Sequence, residues 1–475
     1  MATGFKMVVL VLFSVLIGCF VRYSHQLDPS MLQKTRLKFG SKTPYQRREI
    51  AFEVPKNCEP LHINMVLRHG TRFPSKKDVG KIDKMLSVVN EAFNSSTHMQ
   101  KRIGNLSFPW KNPFSHSHDK LLAPSGEQEM YYIAKEMLKR FPSLLSLSYH
   151  PQDFDFISTG TSRTTQSAMA FAYGLFEGRG LLGPGLFQPV AVQSRDINND
   201  PLLRFFDICP KYVTEVAENK TAFVEFKTFK HGEEMKAVLQ KVVRKMGIPS
   251  GVISEESFIV GMYVACIFEA SIYGRENTWC QLFDDEDLLV LEYLFDLKHY
   301  WKRGYGYPIS YKISCPLLEN IISSLKNATD PTSEEKKYGT FMFAHAETLQ
   351  PLYALLGLFK DYEDLRADNF LKQLERKYRT SFIVPFGANI AFVMYKCSER
   401  GANSSKESEG LNPWPYIVQV FVNEELIGLP CCDEQKECPL ETFLQCFDSK
   451  PNIHCNLSSL CSLESGSPEK SHTEL

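Results

Sequence analysis

The sequence lacks a charge surplus of either sign: 54 Lys and Arg stand against 55 Asp and Glu, a formal balance of -1 at pH 7. It also lacks a run rich in Lys or Arg. No global basic field draws in nucleic acid, so an anionic ligand has to be held by a local cluster of Arg and Lys. Cysteine is plentiful, at 13 residues, but no two are spaced as a C-x-x-C pair, which argues against a zinc site. His116 and His118 read as part of a polar loop rather than as metal ligands. Glycine is concentrated at Gly178–Gly185, yet the G-K-[ST] that closes a P-loop is missing, so this stretch reads as a loop. Beyond the N-terminus no stretch is long and apolar enough to span a bilayer, and no internal repeat is visible.

What is present is ordinary globular composition. Of 475 residues 43% are apolar and 23% charged, enough for a large core in two to three domains or in one large domain with an insertion. Lys6, the apolar run Met7 to Val21 and Arg22 have the layout of a signal peptide over residues 1–24; a signal anchor is the alternative. Six N-x-[S/T] sequons follow, at Asn94, Asn105, Asn219, Asn327, Asn403 and Asn456. Chance supplies about two or three in such a chain, so glycosylation and export are expected. Removal of Cys19 with the signal leaves 12 cysteines, which read as disulfides in an oxidising compartment. Six are spread through the body (Cys58, Cys209, Cys266, Cys280, Cys315 and Cys397). Six crowd the tail (Cys431, Cys432, Cys438, Cys446, Cys455 and Cys461). Spacing does not give their pairing. The end, His472-Thr473-Glu474-Leu475, is one residue away from an H-D-E-L retention address, so the expected location is the endoplasmic reticulum lumen, through a retention receptor, or outside the cell.

Residues 25–50 are polar and read as an extended lead-in. Apolar runs predict strands at 61–67, 154–157, 340–344, 383–385, 390–395 and 417–422. Helical spacing predicts helices at 127–141, 162–176, 285–302 and 348–359, with Thr159 or Thr161 as the N-cap of the second. Residues 200–303 are mostly helical in pattern. Strand–helix units around a large helical insert imply an α/β core with a mostly helical cap, drawn mainly from 80–150 and 200–305. Residues 426–475 form a Cys-rich C-terminal segment whose Ser/Glu/Lys-rich end, from about 463, has the composition of a disordered tail.

Three segments share one design, an apolar strand followed by charged residues at its C-terminal end, where open α/β sheets bind ligands. They are Val66-Leu67-Arg68-His69-Gly70-Thr71-Arg72-Phe73-Pro74, Ser158-Thr159-Gly160-Thr161-Ser162-Arg163 and Phe343-Ala344-His345-Ala346-Glu347-Thr348. A phosphate ester in transit spreads negative charge over three oxygens. The planar forks of Arg68, Arg72 and Arg163 suit it, and a helix starting after Thr161 adds N–H donors. His69 can attack phosphorus if one ring nitrogen is unprotonated and a backbone carbonyl holds the other as N–H, and Gly70 permits the tight turn that supplies that carbonyl. His345 can be a further phosphate donor, and Glu347 can protonate the leaving alkoxide and then deprotonate water. Lys77, Lys302 and Arg303 can bind other phosphates of a substrate. The plainer reading makes Lys302 and Arg303 a helix C-cap and Lys77 part of a solvated face.

Arg68-His69-Gly70-x-Arg72-x-Pro74 resembles the signature of the histidine acid phosphatases, a five-position match that chance produces in roughly one such chain in several thousand. Most of that superfamily has His-Asp at the second site. The His345-Ala346-Glu347 found here is similar to the multiple inositol polyphosphate phosphatase branch. Arg204-Phe205-Phe206-Asp207, Trp301-Lys302-Arg303-Gly304-Tyr305-Gly306-Tyr307 and Ile383-Val384-Pro385 also look like segments of that branch, and the likeness runs from about residue 55 to 425. The resemblance implies a histidine-phosphatase domain over 51–425, with an α/β sheet, flanking helices and the inserted cap. It implies a phosphohistidine on His69, phosphoryl binding by Arg68, Arg72, Arg163 and His345, and Glu347 as proton donor. It implies no metal or organic cofactor, while the charge balance and the lack of a later apolar span leave no nucleic acid partner and no stable membrane anchor expected. The substrate it implies is a polyphosphorylated small molecule such as phytate, with a general acid phosphatase or a bisphosphoglycerate phosphatase as alternatives. A glycosylated binding protein without catalysis is the rival from another class.

Overall fold

Alternating side chains bury both faces of one sheet. On β1 (Cys58–Arg68), Ile63, Met65 and Leu67 enter one apolar cluster while Val66 enters the other. On β5 (Asn389–Cys397), Ala391, Val393 and Tyr395 face the first cluster and Ile390, Phe392 and Met394 the second. A strand with period-two alternation and neither face exposed along its inner part belongs in the middle of a sheet covered on both sides. The computed structural model describes residues 38–47, 52–95, 102–248, 253, 256–334, 336–398, 414–448 and 455–463. The expected signal peptide, the Asn403 sequon and the His472–Leu475 end lie outside the described residues.

The other strands of this sheet are β2 (Phe154–Thr159), β3 (Val192–Arg195), β4 (Gly339–Ala344), β6 (Tyr416–Val422), β7 (Glu425–Ile427) and β8 (Cys438–Pro439). The eight form one sheet in the order β8-β6-β5-β1-β4-β2-β3, with β7 on β6. β1, β4, β2 and β3 run parallel, and β5, β6, β7 and β8 add an antiparallel wing. The class is mixed α/β, as expected.

The helices sort to the two faces. α1 (Lys76–Ser95) packs against α5 (Glu256–Tyr273), while α2 (Pro124–Arg140) packs against α3 (Ser162–Phe176). α4 (Glu233–Met246), α6 (Asp285–Arg303), α7 (Cys315–Thr329) and α8 (Ala346–Leu355) complete the set that bears on the site. α6 opens with a capping box, in which Asp284 Oδ1 accepts from Asp287 N at 3.0 Å and Asp284 N donates to Asp287 Oδ2 at 3.0 Å. α2 lies in a stretch expected of the cap, but its inner face of Met130, Ile133, Ala134 and Met137 joins the cluster on the β-sheet. It belongs to the α/β layer.

Two expectations about backbone are corrected. The strand expected at 383–385 is a short helical turn, Thr380–Ile383. Pro385 has no N–H to give a ladder, and the carbonyl of Val384 is used otherwise, accepting from Arg68 Nη1 at 2.7 Å. The lead-in at 38–47 is no loose extension either. Phe39, Ser41 and Thr43 are buried around a 3-10 turn at Gly40–Lys42, and Thr43 O accepts from Phe386 N at 2.9 Å.

Five disulfides fasten the described chain: Cys58–Cys397, Cys209–Cys461, Cys266–Cys280, Cys315–Cys455 and Cys432–Cys438. Two of them join body to tail. The tail therefore docks on the core through β8, α9 (Leu440–Asp448) and two bridges rather than trailing from it.

Candidate active site

β1, β4 and β2 end level with one another. Arg68 pairs with Ala344 and Leu67 with Phe343, while Ser158 pairs with the same Phe343 across the next ladder. The three charged segments predicted from the sequence thus emerge side by side at one sheet edge. The loop after β1 is pinned by backbone bonds from Arg68 N to Ala388 O (2.7 Å), His69 N to Ala344 O (3.1 Å) and Gly387 N to His69 O (3.2 Å).

His69 is 3% exposed, and its Nδ1 lies 2.8 Å from the carbonyl of Gly70. A carbonyl oxygen only accepts, so Nδ1 carries the proton and Nε2 keeps its lone pair. Burial, then the charges of Arg163 and Arg68, hold the imidazole well below its usual pKa, so the ring is neutral at physiological pH.

Around it stand the cations. Arg68 Nη1 donates to Val384 O and to Ser41 O, and its guanidinium lies 4.4 Å from the Phe386 ring centroid. Arg72 Nη1 donates to Phe73 O at 2.8 Å. Arg163 Nη2 is 3.2 Å from His345 Nδ1. Among the described residues none of these three guanidiniums has a carboxylate partner. Burial, then the neighbouring Arg72, pulls Arg68 down to about 9 and Arg163 to about 10. Uncompensated buried cations are costly, and a multiply charged anion relieves the cost.

His345 occupies the N-cap of α8, and its ring centroid is 5.7 Å from that of His69. Its Nε2 lies 3.0 Å from both Thr159 Oγ1 and Arg204 Nη1. Burial, then Arg163, keeps it neutral as well. α8 begins at Ala346, two residues before its expected start, which puts Glu347 in the first turn. Arg303 Nη2 donates to Glu347 Oε1 at 2.6 Å. Burial alone raises the Glu347 carboxyl, but Arg303, His345 and its own backbone N–H outweigh it and hold the group well below the usual carboxylate range.

Of the other predicted residues, Arg303 therefore joins the site. Lys302 donates to Ala217 O at 3.3 Å beside the Phe223 ring, and burial, then Arg303, lowers it to about 8. Lys77 is exposed at the start of α1, where its charge is felt by Lys298. Thr161 does stand at the N-cap of α3, but its hydroxyl bonds Thr164 Oγ1 at 2.7 Å instead of a backbone N–H. His116 and His118 are exposed on a single 3-10 turn.

Sequence reasoning gave no role to Arg204, Ser41 or Glu129. Arg204 follows an Asx-type turn in which Asp200 Oδ1 accepts from Leu202 N and Leu203 N, and it pairs with Asp207 on its way to His345. The local signals were the Asp200/Asp207 bracket around one arginine and the likeness of Arg204-Phe205-Phe206-Asp207 to the branch, which assigned it no role. Glu129 Oε2 accepts from Thr71 N at 2.6 Å, and its Oε1 accepts from Thr71 Oγ1 at 2.7 Å and Tyr45 N at 3.1 Å.

A nucleophile-ready imidazole in a ring of unpaired guanidiniums at the edge of an α/β sheet defines a histidine phosphatase. Residues 61–423 match the family model for the Histidine phosphatase superfamily (branch 2). Multiple inositol polyphosphate phosphatase 1 of Gallus gallus is 36% identical over 379 residues, 79% of this chain and 78% of its own. Its counterpart in Homo sapiens is 33% identical over 426 residues, 86% and 84% of the two chains. Among solved structures, the phytase from D. castellii superposes with a TM-score of 0.69 at 18% identity, covering 92% of this chain and 91% of its own. The Bifidobacterium longum multiple inositol polyphosphate phosphatase in complex with inositol hexasulfate superposes with a TM-score of 0.64 at 17% identity, covering 86% and 97%. These two likenesses show the fold. The chain belongs to branch 2 of the histidine phosphatase superfamily and, within it, to the multiple inositol polyphosphate phosphatases.

Proposed function

We propose that this chain hydrolyses inositol polyphosphates such as phytate through a phosphohistidine on His69. The observation that carries the reading is the set of three guanidiniums, Arg68, Arg72 and Arg163, gathered around a neutral His69 and, among the described residues, not ion-paired directly with any carboxylate. Relatives named for multiple inositol polyphosphates, and a fold neighbour solved with inositol hexasulfate, support the substrate class.

In the first step Nε2 of His69 bonds to phosphorus as the bond to the leaving oxygen breaks. Arg68, Arg72, Arg163 and His345 hold the phosphoryl oxygens, with Arg204 beside His345, and Glu347 gives its proton to the leaving alkoxide. In the second, Glu347 takes a proton from water, the oxygen attacks phosphorus and the N–P bond breaks. Glu347 is ionised in the ligand-free site, held so by Arg303. A bound phosphate brings negative charge beside that carboxylate, which raises its pKa and loads it for the first step. Arg303 and Lys302 extend the positive wall, with Lys77 further out, toward the remaining phosphates. The guanidiniums supply the positive charge, so no metal or organic cofactor takes part and chelators leave the rate unchanged.

The route through the secretory pathway is part of the same reading. It rests on the apolar N-terminus, on the exposure of Asn94, Asn105 and Asn456, with Asn219 and Asn327 half-buried, and on the His472–Leu475 end as an address for a retention receptor.

Phosphate release from phytate by the purified protein tests the function, with an acid quench to trap the adduct on His69. His69→Ala is expected to keep the fold and lose turnover. A variant with normal activity refutes the assignment, and faster turnover of a simple aryl phosphate than of phytate favours a general acid phosphatase.

A further inference from the structure

One peptide unit joins Gly70 to Thr71, and both of its ends are engaged. Its carbonyl accepts from His69 Nδ1 at 2.8 Å, and its N–H donates to Glu129 Oε2 at 2.6 Å. We propose that Glu129 is a positioning residue whose negative charge, passed through the Gly70–Thr71 peptide, makes His69 a stronger nucleophile. This rests on the phosphohistidine reading above.

The argument is electronic. An amide is conjugated, so an anion bound at its N–H pushes electron density onto its carbonyl oxygen. A charged acceptor makes that bond short and strong. The enriched Gly70 oxygen then holds the Nδ1 proton of His69 more tightly, and the lone pair on Nε2 becomes more basic. A carboxylate orienting a catalytic imidazole does this directly in the Ser-His-Asp arrangement; here a peptide stands between the two. No proton leaves any of the three groups.

Loop packing alone does not call for a carboxylate at this place. α2 already meets the nucleophile loop backbone to backbone. A Cβ on Gly126 would sit 2.2 Å from Thr71 O, and one on Gly70 would sit 2.2 Å from Gly126 O. Ala123 N donates to Thr71 O at 2.9 Å, and Gly70 N donates to Ser167 Oγ at 3.2 Å. The register of loop and helix is thus fixed without Glu129. The side chain is 8% exposed beside Met130 and Ile133, where a charge is expensive to keep. Burial outweighs the Thr71 donors, the Tyr45 N–H and Arg68 and leaves its carboxyl raised to about 7, so the charged form predominates above that pH. All three donors converge on the two oxygens, the pattern expected of a group held as an anion.

The test separates charge from fit, using Glu129→Gln and Glu129→Asp in the full chain with phytate in a rapid acid quench. Gln keeps the shape and an acceptor for Thr71 N–H but removes the charge, whereas Asp keeps the charge and shortens the reach. A less basic Nε2 is a poorer nucleophile and a better leaving group. Formation of phosphohistidine is therefore expected to slow on the order of tenfold in Gln, with hydrolysis of the adduct unchanged or faster. The adduct present at steady state then falls. Asp is expected to recover part of the formation rate. A role in fit alone predicts the reverse order, Asp below Gln, with both steps slowed together, and that result overturns the proposal; so does an unchanged formation rate in Gln. If Gln does not fold, as judged by thermal unfolding, the two rates in Asp against wild type decide in the same way. Wild-type protein that traps no adduct sinks the mechanism beneath, and the relay with it.

Discussion

Arg303, the last residue of α6, reaches the first turn of α8 and holds Glu347 by a 2.6 Å bond from Nη2 to Oε1. The helical layer thereby sets the charge state of a group on the sheet edge. Arg303→Met removes the largest influence holding that carboxyl down, so its pKa rises toward or above the ordinary carboxylate value. As a general acid Glu347 has to be protonated before the first step. The alkaline limb of kcat for an alkyl phosphate is therefore expected to move to higher pH in the variant. A limb that stays in place would show that another group donates the proton.

Glu347→Gln tests the donor directly. General acid catalysis is worth about 10²–10⁴ in rate and matters most when the leaving oxygen is basic. An inositol alkoxide needs that proton, while a nitrophenolate hardly does. The variant is expected to lose about 100-fold or more on phytate and only several-fold in the phosphorylation step with nitrophenyl phosphate. Equal losses on the two substrates argue that Glu347 serves binding alone.

The strands and the three charged segments were legible because their signal is local: an apolar run, then Arg, His or Glu at its end. Everything reached through tertiary contact was not. Arg204 meets His345 across 141 positions, and Thr71 meets Glu129 across 58. Neither pairing leaves a periodic trace. Ser41 lies in a polar stretch that composition assigns to a loose lead-in, yet its carbonyl satisfies a buried guanidinium. Ile383-Val384-Pro385 looked like a strand by residue type, and the missing N–H of Pro385 together with the demand of Arg68 for the Val384 carbonyl prevailed. Cysteine count predicted that all 12 pair; ten do so in five bridges, and Cys431 and Cys446 lie outside them, while the partners depended on where the tail docks.

That docking has a measurable consequence. Cys209–Cys461 and Cys315–Cys455 close loops spanning 252 and 140 positions. In the chain-entropy account a single closure of this length stabilises by about 5 kcal/mol, and less where the loops overlap. Cys455→Ser with Cys461→Ser is expected to lower the melting temperature by several degrees or more in calorimetry. Cys209 also lies two residues beyond Asp207, which pairs with Arg204, so weaker retention of inorganic phosphate should accompany the loss. An unchanged melting temperature would mean that β8 and α9 hold the tail without the bridges.

Lys42, acted on by the charge of Arg72, and Lys298, acted on by Arg303 and Lys302, add to the positive wall, which should itself be sensitive to pH. Burial, ahead of their charged neighbours, lowers Lys42 to about 7 and Lys298 and Lys302 to about 8. The charges of Lys81, Arg72 and Lys298 further lower Lys42, with Asp78 opposing. Each ammonium is present below its pKa and lost above it, so the wall is most positive below pH 7 and fades between pH 7 and 9. A bound polyanion favours the charged forms, so binding takes up protons in that window. KM for phytate is accordingly expected to rise as pH passes from 6.5 to 9. The substrate itself gains negative charge over the same range, which works against the trend, so the comparison with Lys298→Met isolates the lysine. In that variant KM should be higher at pH 6.5 and climb less steeply. Parallel profiles for the two proteins would place Lys298 outside the substrate's reach.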